Sequence, residues 1–208
     1  MQFQIPCDTF VRLSKVAVQP DETDHPKEPN LRSVRIEHRS GNVIASACNG
    51  KILSVEHVGT TTEPDGAVHV GIDPKLIEVC RDEIAYNSEL MIAFEAGWAT
   101  ANTTFGYFHP DNVAQPDWLS GKTWRDIVPK ETPTKANGTL AFNAHEIARL
   151  GSSAPSGSFV FPRHIDKDIA VVVRDKNDDS WIGVFLVLDR GPTEKQADPA
   201  TVPEWVHR

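Results

Sequence analysis

The sequence predicts an α+β protein assembled from a repeated strand–helix–strands unit, and three observations carry that prediction. First, residues 66–81, GAVHVGIDPKLIEVCR, read as a short strand with Val68 and Val70 alternating about His69, then a turn, then an amphipathic helix. Asp73 stands where an N-cap belongs and Pro74 where its missing N–H costs nothing, while Leu76, Ile77, Cys80 and Ile84 form one apolar face. Second, the same order recurs on both sides. Phe3-Gln4-Ile5 leads through Pro6, Cys7 and Asp8 to Phe10, Val11 and Leu13, and Leu140-Ala141-Phe142 leads through Asn143 to His145, Ile147 and Leu150. Third, strand-rich sequence follows each copy, so the copies recur at intervals of roughly 65–70 residues, as an internal repeat should.

Taken in order, residues 7–18 are expected to form the first helix. Phe10, Leu13 and Ala17 lie on one face, Asp8, Arg12, Lys15 and Gln19 on the other, and Pro20 ends it. QPDETDHPKEPN then reads as a polar, solvent-exposed loop. From Leu31 the period changes to two: SVRIEHR, NVIASAC and KILSVEHVG are successive strands. Ser40-Gly41 and Asn49-Gly50 separate them, and Asn-Gly between alternating runs is a strong hairpin signal. After the central helix come ELMIAFEA, WATANTTF and GYFHP, so residues 1–110 hold two units in one domain.

Residues 111–137 form a connector whose prolines disfavour regular structure, although Trp118, Trp124 and Ile127 need an apolar surface to rest on. Residues 138–190 make a second, smaller region: a strand over 139–142, a helix over 144–150, the break GSSAPSGS, then SFVFP, IAVVVRD and WIGVFLVLD. The last two are dense in β-branched and large apolar residues, as central strands are. Residues 191–208 read as a tail with Trp205 as its large apolar anchor.

Bulk properties narrow the class. The 208 residues suffice for one large domain or two small ones, and 39% apolar with 24% charged residues is ordinary for a soluble protein. No apolar run approaches the ~18–20 residues of a membrane span, and MQFQIPCDTF lacks a signal-peptide shape. Cys7, Cys48 and Cys80 lie far apart in the chain without a CxxC pair, which points away from a disulfide framework and towards a reducing, cytoplasmic setting. The net charge of −8 argues against coating nucleic acid with the whole surface but leaves room for a local basic face.

The order of these pieces resembles the β sliding clamp of bacterial DNA polymerase III. The residues that carry the resemblance are Val70, Cys80 and Arg81 in the central strand and helix, Leu90 and Ile92 in the next strand, and Phe105, Pro116 and Trp118 towards the connector. FQIPCDTFVRLSKVAV and GNVIASACNG fit the family's opening, and IAVVVRD with SWIGVFLVLD its closing hairpin. The turn Cys48-Asn49-Gly50 departs from the family by lacking an acid, and the chain holds three units where a bacterial subunit has more. The resemblance implies a reduced, phage-type clamp: antiparallel sheets outside, helices on one face lining a hole, duplex DNA within.

By that resemblance the helix faces meet phosphates through Lys and Arg without fixing register, which permits sliding. Arg12 and Lys15 on the first helix, Lys75 and Arg81 on the second, and Arg149 on the third are the DNA-binding candidates; the plainer alternative makes them solvated faces of amphipathic helices. Trp118, Trp124, Ile127 and Trp205 are candidates for docking a DNA polymerase or another replication protein, against the alternative that they fold onto the chain's own core. Three helices per chain would call for four chains around a hole lined by about twelve, so a homo-oligomer is expected.

Enzyme signals are weak, and no catalytic residue, cofactor or metal is expected. SGKT at residues 120–123 follows a proline-rich loop, with Pro116 where a phosphate loop needs glycine. There is no HExxH, and His38, His57 and His69 read as solvent-facing strand positions. GSSAPSG lacks a nucleophile elbow, Cys80 falls on an apolar helix face, and Asp175, Asp178 and Asp179 fit a solvated turn. Two rivals remain: a clamp-folded protein that binds a replication partner without forming a ring, and an unrelated α+β enzyme with dispersed site residues.

Overall fold

A computed structural model describes residues 2–19, 29–95, 98–103, 107–108, 113–114, 124–128, 143–160 and 170–186. The first unit is β1 (Gln2–Pro6), α1 (Cys7–Ser14), β2 (Ser33–Arg39), β3 (Asn42–Cys48) and β4 (Ile52–Thr60). The second is β5 (Gly66–Gly71), α2 (Pro74–Glu83), β6 (Glu89–Glu95), β7 (Trp98–Asn102) and β8 (Tyr107–Phe108). The connector adds β9 (Val113–Ala114) and the single turn α3 (Trp124–Ile127). The third unit contributes α4 (Ala144–Gly151), β10 (Phe159–Val160), β11 (Ala170–Asp175) and β12 (Trp181–Leu186). The strand expected over 139–142, Trp118 and the tail with Trp205 lie outside the described residues.

Local chemistry accounts for the helix starts. Asp73 Oδ1 accepts from the Lys75 N–H at 2.7 Å, and Asn143 Oδ1 accepts from the His145 N–H at 2.9 Å, so α2 and α4 carry side-chain N-caps. α1 has none: Pro6 occupies the cap position, and Asp8 instead pairs with Arg12. α1 also ends earlier than its apolar pattern predicts. The carbonyls of Lys15, Val16 and Ala17, which a longer helix would leave for later N–H groups, accept from the Arg149 guanidinium at 3.0, 3.3 and 2.6 Å.

The strands form an antiparallel four-stranded sheet, β1-β6-β7-β8, and an antiparallel eight-stranded sheet, β10-β11-β12-β4-β3-β2-β5-β9. The first two units exchange leading strands. β1 lies on β6, with Phe3 opposite Ile92 and Ile5 opposite Leu90; β5 lies on β2, with Val70 opposite Val34 and Val68 opposite Ile36. The β2–β3 turn is the predicted two-residue hairpin, with positive φ at both Ser40 (51°) and Gly41 (77°). The third unit joins through β12 and β4, where Val184 faces Leu53 and Ile182 faces Val55.

Period-two alternation divides the larger sheet into two faces. Val34, Ile36, Ala45, Ala47, Ile52, Val68, Val70, Val171 and Val173 join Phe3, Ile5, Phe10, Leu13, Leu76, Cys80 and Leu150 in the main core beneath the helices. On the opposite face, Leu53, Val55 and Val184 form a second core with Val18, Leu31 and Cys48, against which Ile44, Ile182, Trp124 and Val128 pack. The connector thus covers the back of the sheet with α3, although its prolines argue against regular structure there.

Two of the three strand histidines depart from the solvent-facing expectation. His38 is buried because it shares parity with Val34 and Ile36, and its ring stacks on Phe3 at a centroid distance of 4.5 Å. His69 does point away from the main core, but that face is closed too, and its Nδ1 lies 3.0 Å from Ser33 Oγ. His57 is exposed, with Nε2 3.0 Å from Asn42 Oδ1. Cys7 and Cys80, distant in sequence, meet where α1 and α2 pack together. Their mutual hydrogen bond, then burial, pushes the Cys80 thiol up, which keeps it protonated and inert as expected.

Gly183 is the tightest point of the β12 contact. A Cβ there would stand 2.6 Å from the Trp181 ring and 2.9 Å from side-chain atoms of Leu150 and Val173. Gly183→Ala is therefore expected to destabilise by about 1–3 kcal/mol in urea unfolding, and an unchanged midpoint would show that the site relaxes freely. Burial, reinforced by the Arg35 charge, holds the His69 pKa down at about 3, so the folded state keeps this imidazole neutral. Its contribution is fully present above the unfolded value of about 6.5 and is lost as the pH falls from there towards 3. Thermal melts between pH 7 and 4 should show His69→Gln losing less stability per pH unit than the parent chain, by at most about 1.4 kcal/mol per unit.

Candidate nucleic-acid interface

The five cations expected to face DNA divide into two groups. Lys15, Lys75 and Arg81 are exposed on or beside α1 and α2. Arg12 and Arg149 are each only 9% exposed, and both guanidiniums are engaged by the protein. Arg12 Nε donates to Asp8 Oδ2 at 2.7 Å; Nη1 donates to Glu56 Oε2 and to the Ser153 carbonyl, both at 2.8 Å, and Nη2 to Glu56 Oε1 at 2.9 Å. Burial opposes the Arg12 charge, but the hydrogen bonds and charge of Glu56, followed by those of Asp8, hold its pKa above the ordinary value. Arg12 therefore lies in an internal seam, while Asp8 and Lys15 of the same helix face remain exposed.

That seam joins the first unit to the third. Thr9 Oγ1 donates to Glu56 Oε1 at 2.9 Å, and Lys15 Nζ reaches the Ser152 carbonyl at 3.4 Å. Asn49, in the β3–β4 turn, accepts from the Lys51 and Ile52 N–H groups and donates to Glu146 Oε2 on α4 at 2.9 Å. Below it, Ser153 Oγ donates to Ser54 Oγ at 3.1 Å, and the Trp181 indole N–H donates to the same oxygen at 2.8 Å. A β4 position, a β12 indole and the end of α4 are thus tied through one hydroxyl. Charged and neutral hydrogen bonds from both units close over each other, so few polar atoms in the seam go unsatisfied.

The exposed cations on the helices are interleaved with exposed acids. Asp8 lies on α1, and Glu78 and Asp82 flank Lys75 and Arg81 on α2. α4 shows solvent Ala144, His145 and Ala148, while its Glu146, Arg149 and Leu150 are buried.

Among the docking candidates, Trp124 is half-buried against the second core, and the Arg125 guanidinium lies over its ring at 4.2 Å. Arg125 Nη1 also pairs with Glu37 Oε1 at 2.8 Å, which pins α3 to β2. Ile127 belongs to the same turn. No group of three or more metal-ligating side chains stands together among the described residues.

In sequence the chain matches no protein-family model and no curated protein. In structure it is similar to sliding clamps. A DNA polymerase sliding clamp from Pseudomonas aeruginosa superposes with a TM-score of 0.62 over 90% of this chain and 66% of its own length, at 14% identity. The polymerase III β subunit of Caulobacter crescentus gives 0.57 over 100% of this chain and 68% of its own, at 11% identity. A putative polymerase III β subunit from Eubacterium rectale gives 0.58 over 91% and 65%, at 10% identity. The chain therefore spans about two thirds of the length of these clamps. The likeness defines the fold, an α+β sliding-clamp fold with antiparallel sheets.

Truncating Arg12 would leave Glu56, 6% exposed, without its ionic partner. Arg12→Ala is expected to cost about 3–5 kcal/mol of unfolding free energy, and Arg12→Met combined with Glu56→Leu to recover most of it. Lys15→Ala should stay within about 0.5 kcal/mol. Equal losses for Arg12→Ala and Lys15→Ala would refute the division into seam and surface cations.

Proposed function

We propose that this chain is a non-catalytic sliding-clamp-like processivity factor of the reduced, phage type, acting on duplex DNA. The observation that carries the reading is the continuation of one antiparallel sheet from the first two units, through β4 and β12, into the third. A wall extended by edge-to-edge strand pairing, with helices packed beneath it, is suited to enclosing a large hole. The exposed Lys15, Lys75 and Arg81 are the residues proposed to meet phosphates, while Arg12 and Arg149 act indirectly by setting the angle between units. Contacts so few and so diluted by acids favour loose, register-free association over tight binding.

Under this reading residues 1–110 form one clamp-like domain and residues 138–190 a second, smaller clamp-like unit, with the connector 111–137 between them. Several copies assemble to close the ring, in a cytoplasmic setting, and a DNA polymerase or another replication protein docks near the connector through Trp118, Trp124, Ile127 and Trp205. The acids beside Lys75 and Arg81, with the net charge of −8, favour a second reading: a clamp-folded protein that holds a replication partner without encircling DNA.

Retention on nicked circular DNA, followed by linearisation, separates the two. A ring should stay on the circle and slide off the cut ends, and combining Lys15→Glu, Lys75→Glu and Arg81→Glu should lower retention about tenfold or more without changing the melting temperature. Loss of three phosphate contacts should also flatten the salt dependence by a slope of about 2.7. No retention on circles together with tight polymerase binding would overturn the ring in favour of the second reading.

A further inference from the structure

The larger sheet turns a charged group of residues away from the helices. Val34, Ile36 and His38 of β2 are buried on the side of the main core, so Arg35, Glu37 and Arg39 alternate onto the opposite face, where α3 packs. There three guanidiniums surround one carboxylate. Arg125 Nη1 donates to Glu37 Oε1 at 2.8 Å, Arg35 Nε donates to Glu37 Oε2 at 3.4 Å, and Arg39 Nη1 stands 3.9 Å from Glu37 Oε1, beyond hydrogen-bond reach. In a chain of net charge −8 this is a local reversal of sign. Counting Asp126, the one acid of α3, still leaves more cations than acids. The Glu37 side chain is 6% exposed, whereas those of Arg39 and Arg125 are 54% and 29% exposed, so the excess charge lies on the solvent side.

Arg12 provides the contrast within the same molecule. Burial opposes the charge of both Arg12 and Arg35. At Arg12 the hydrogen bonds and charges of Glu56 and Asp8 outweigh it. At Arg35 the attraction of Glu37 does not, and Arg125 and Arg39 repel the guanidinium further, so its pKa falls below the ordinary value. The same charge reaches His69, opposite Arg35 on β5, where it adds to burial in keeping the imidazole neutral. Beside the cluster, the Trp124 ring lies under Arg125, and its indole N–H is buried with no acceptor among the described residues. Cations short of negative charge and an N–H short of an acceptor both call for an anion.

We infer that Arg35, Arg39 and Arg125 form a binding site for a phosphate group on the face of the larger sheet opposite the helices. The chemistry selects phosphate over carboxylate. Glu37 already holds the carboxylate position between the arginines, and its two oxygens cannot serve three guanidinium forks. A phosphate monoester offers three terminal oxygens and carries a charge of about −1.5 to −2 at neutral pH. Guanidinium forks match those oxygens in pairs, and the exposed Arg39 is placed to close on the group from solvent. Free phosphate, a nucleotide and a nucleic-acid strand all present this chemistry. The site goes beyond the processivity reading. It lies across the sheet from α1 and α2, which carry Lys15, Lys75 and Arg81, and it does not require the chain to encircle DNA.

The test is calorimetric titration of the 208-residue chain with inorganic phosphate near neutral pH, with sodium chloride holding the ionic strength constant. Saturable binding of one phosphate per chain is expected, with a dissociation constant below about 1 mM. Arg39→Gln should weaken it about tenfold or more, the loss of one charge-assisted hydrogen bond, with an unchanged circular-dichroism melt. Arg174→Gln, which removes an exposed arginine from β11 of the same sheet, should leave the affinity unchanged. A short oligothymidylate, with and without a 5′-phosphate, then distinguishes the sources. Binding only with the 5′-phosphate assigns the site to monoesters, equal binding by both assigns it to a strand backbone, and binding by neither confines it to small phosphates. No saturable binding up to about 10 mM phosphate, an affinity that ignores Arg39→Gln, or acetate binding as tightly as phosphate would each overturn the assignment.

Discussion

The exchange of leading strands is the constraint on which the rest of the structure depends. A three-stranded meander with one amphipathic helix cannot cover its own apolar face, and the leading strand departs through the helix away from the strands that follow it. Placing β1 on β6 and β5 on β2 satisfies both edges at once and sets Phe3, Ile5, Val68 and Val70 into a single core. Burial then does the stabilising, at roughly 25 cal/mol per Å² of apolar surface removed from water. The exchange also leaves the last strand of the first meander, β4, free to be continued by β12.

What joins the third unit to this body is chemically different from what holds the body together. On the back of the sheet the contact is aliphatic, Leu53 and Val55 against Ile182 and Val184. Under the helices it is polar and charged, with Arg12 between Glu56 and the Ser153 carbonyl and Arg149 on the backbone beyond α1. A buried ion pair of this kind adds little net stability over well-packed apolar groups, but it penalises every geometry in which one partner is left alone. The joint therefore favours one angle between units more than it strengthens their association.

Much of this organisation was legible in the sequence because it rests on local rules. Asp73-Pro74 and Asn143 mark helix starts through bonds to residues two positions on, Ser40-Gly41 marks a hairpin through positive φ, and alternation marks each meander. The misread positions all depend on distant partners. Arg12 sits with Asp8 and Lys15 on what a helical wheel calls the polar face, and only Glu56, 44 residues later, and Ser153, 141 residues later, make the Arg12 position internal. His38 is the exception: its parity with Val34 and Ile36 marks it as inward-facing, and only the polarity of an imidazole suggests the solvent side. The second core was hidden because strands covered on both faces by short connectors show no distinctive period.

The early end of α1 ties the order of synthesis to the order of folding. The carbonyls of Lys15 and Val16 accept from a guanidinium that lies 133 to 134 residues further along the chain, and that of Ala17 shares the same guanidinium with the nearby Gln19 amide. The Arg149 donors to Lys15 and Val16 exist only once residue 149 has been made, so this part of the helix margin is completed by a non-local contact, the kind that forms late in folding. The side chain that completes the margin of the first helix is thus supplied by the third unit.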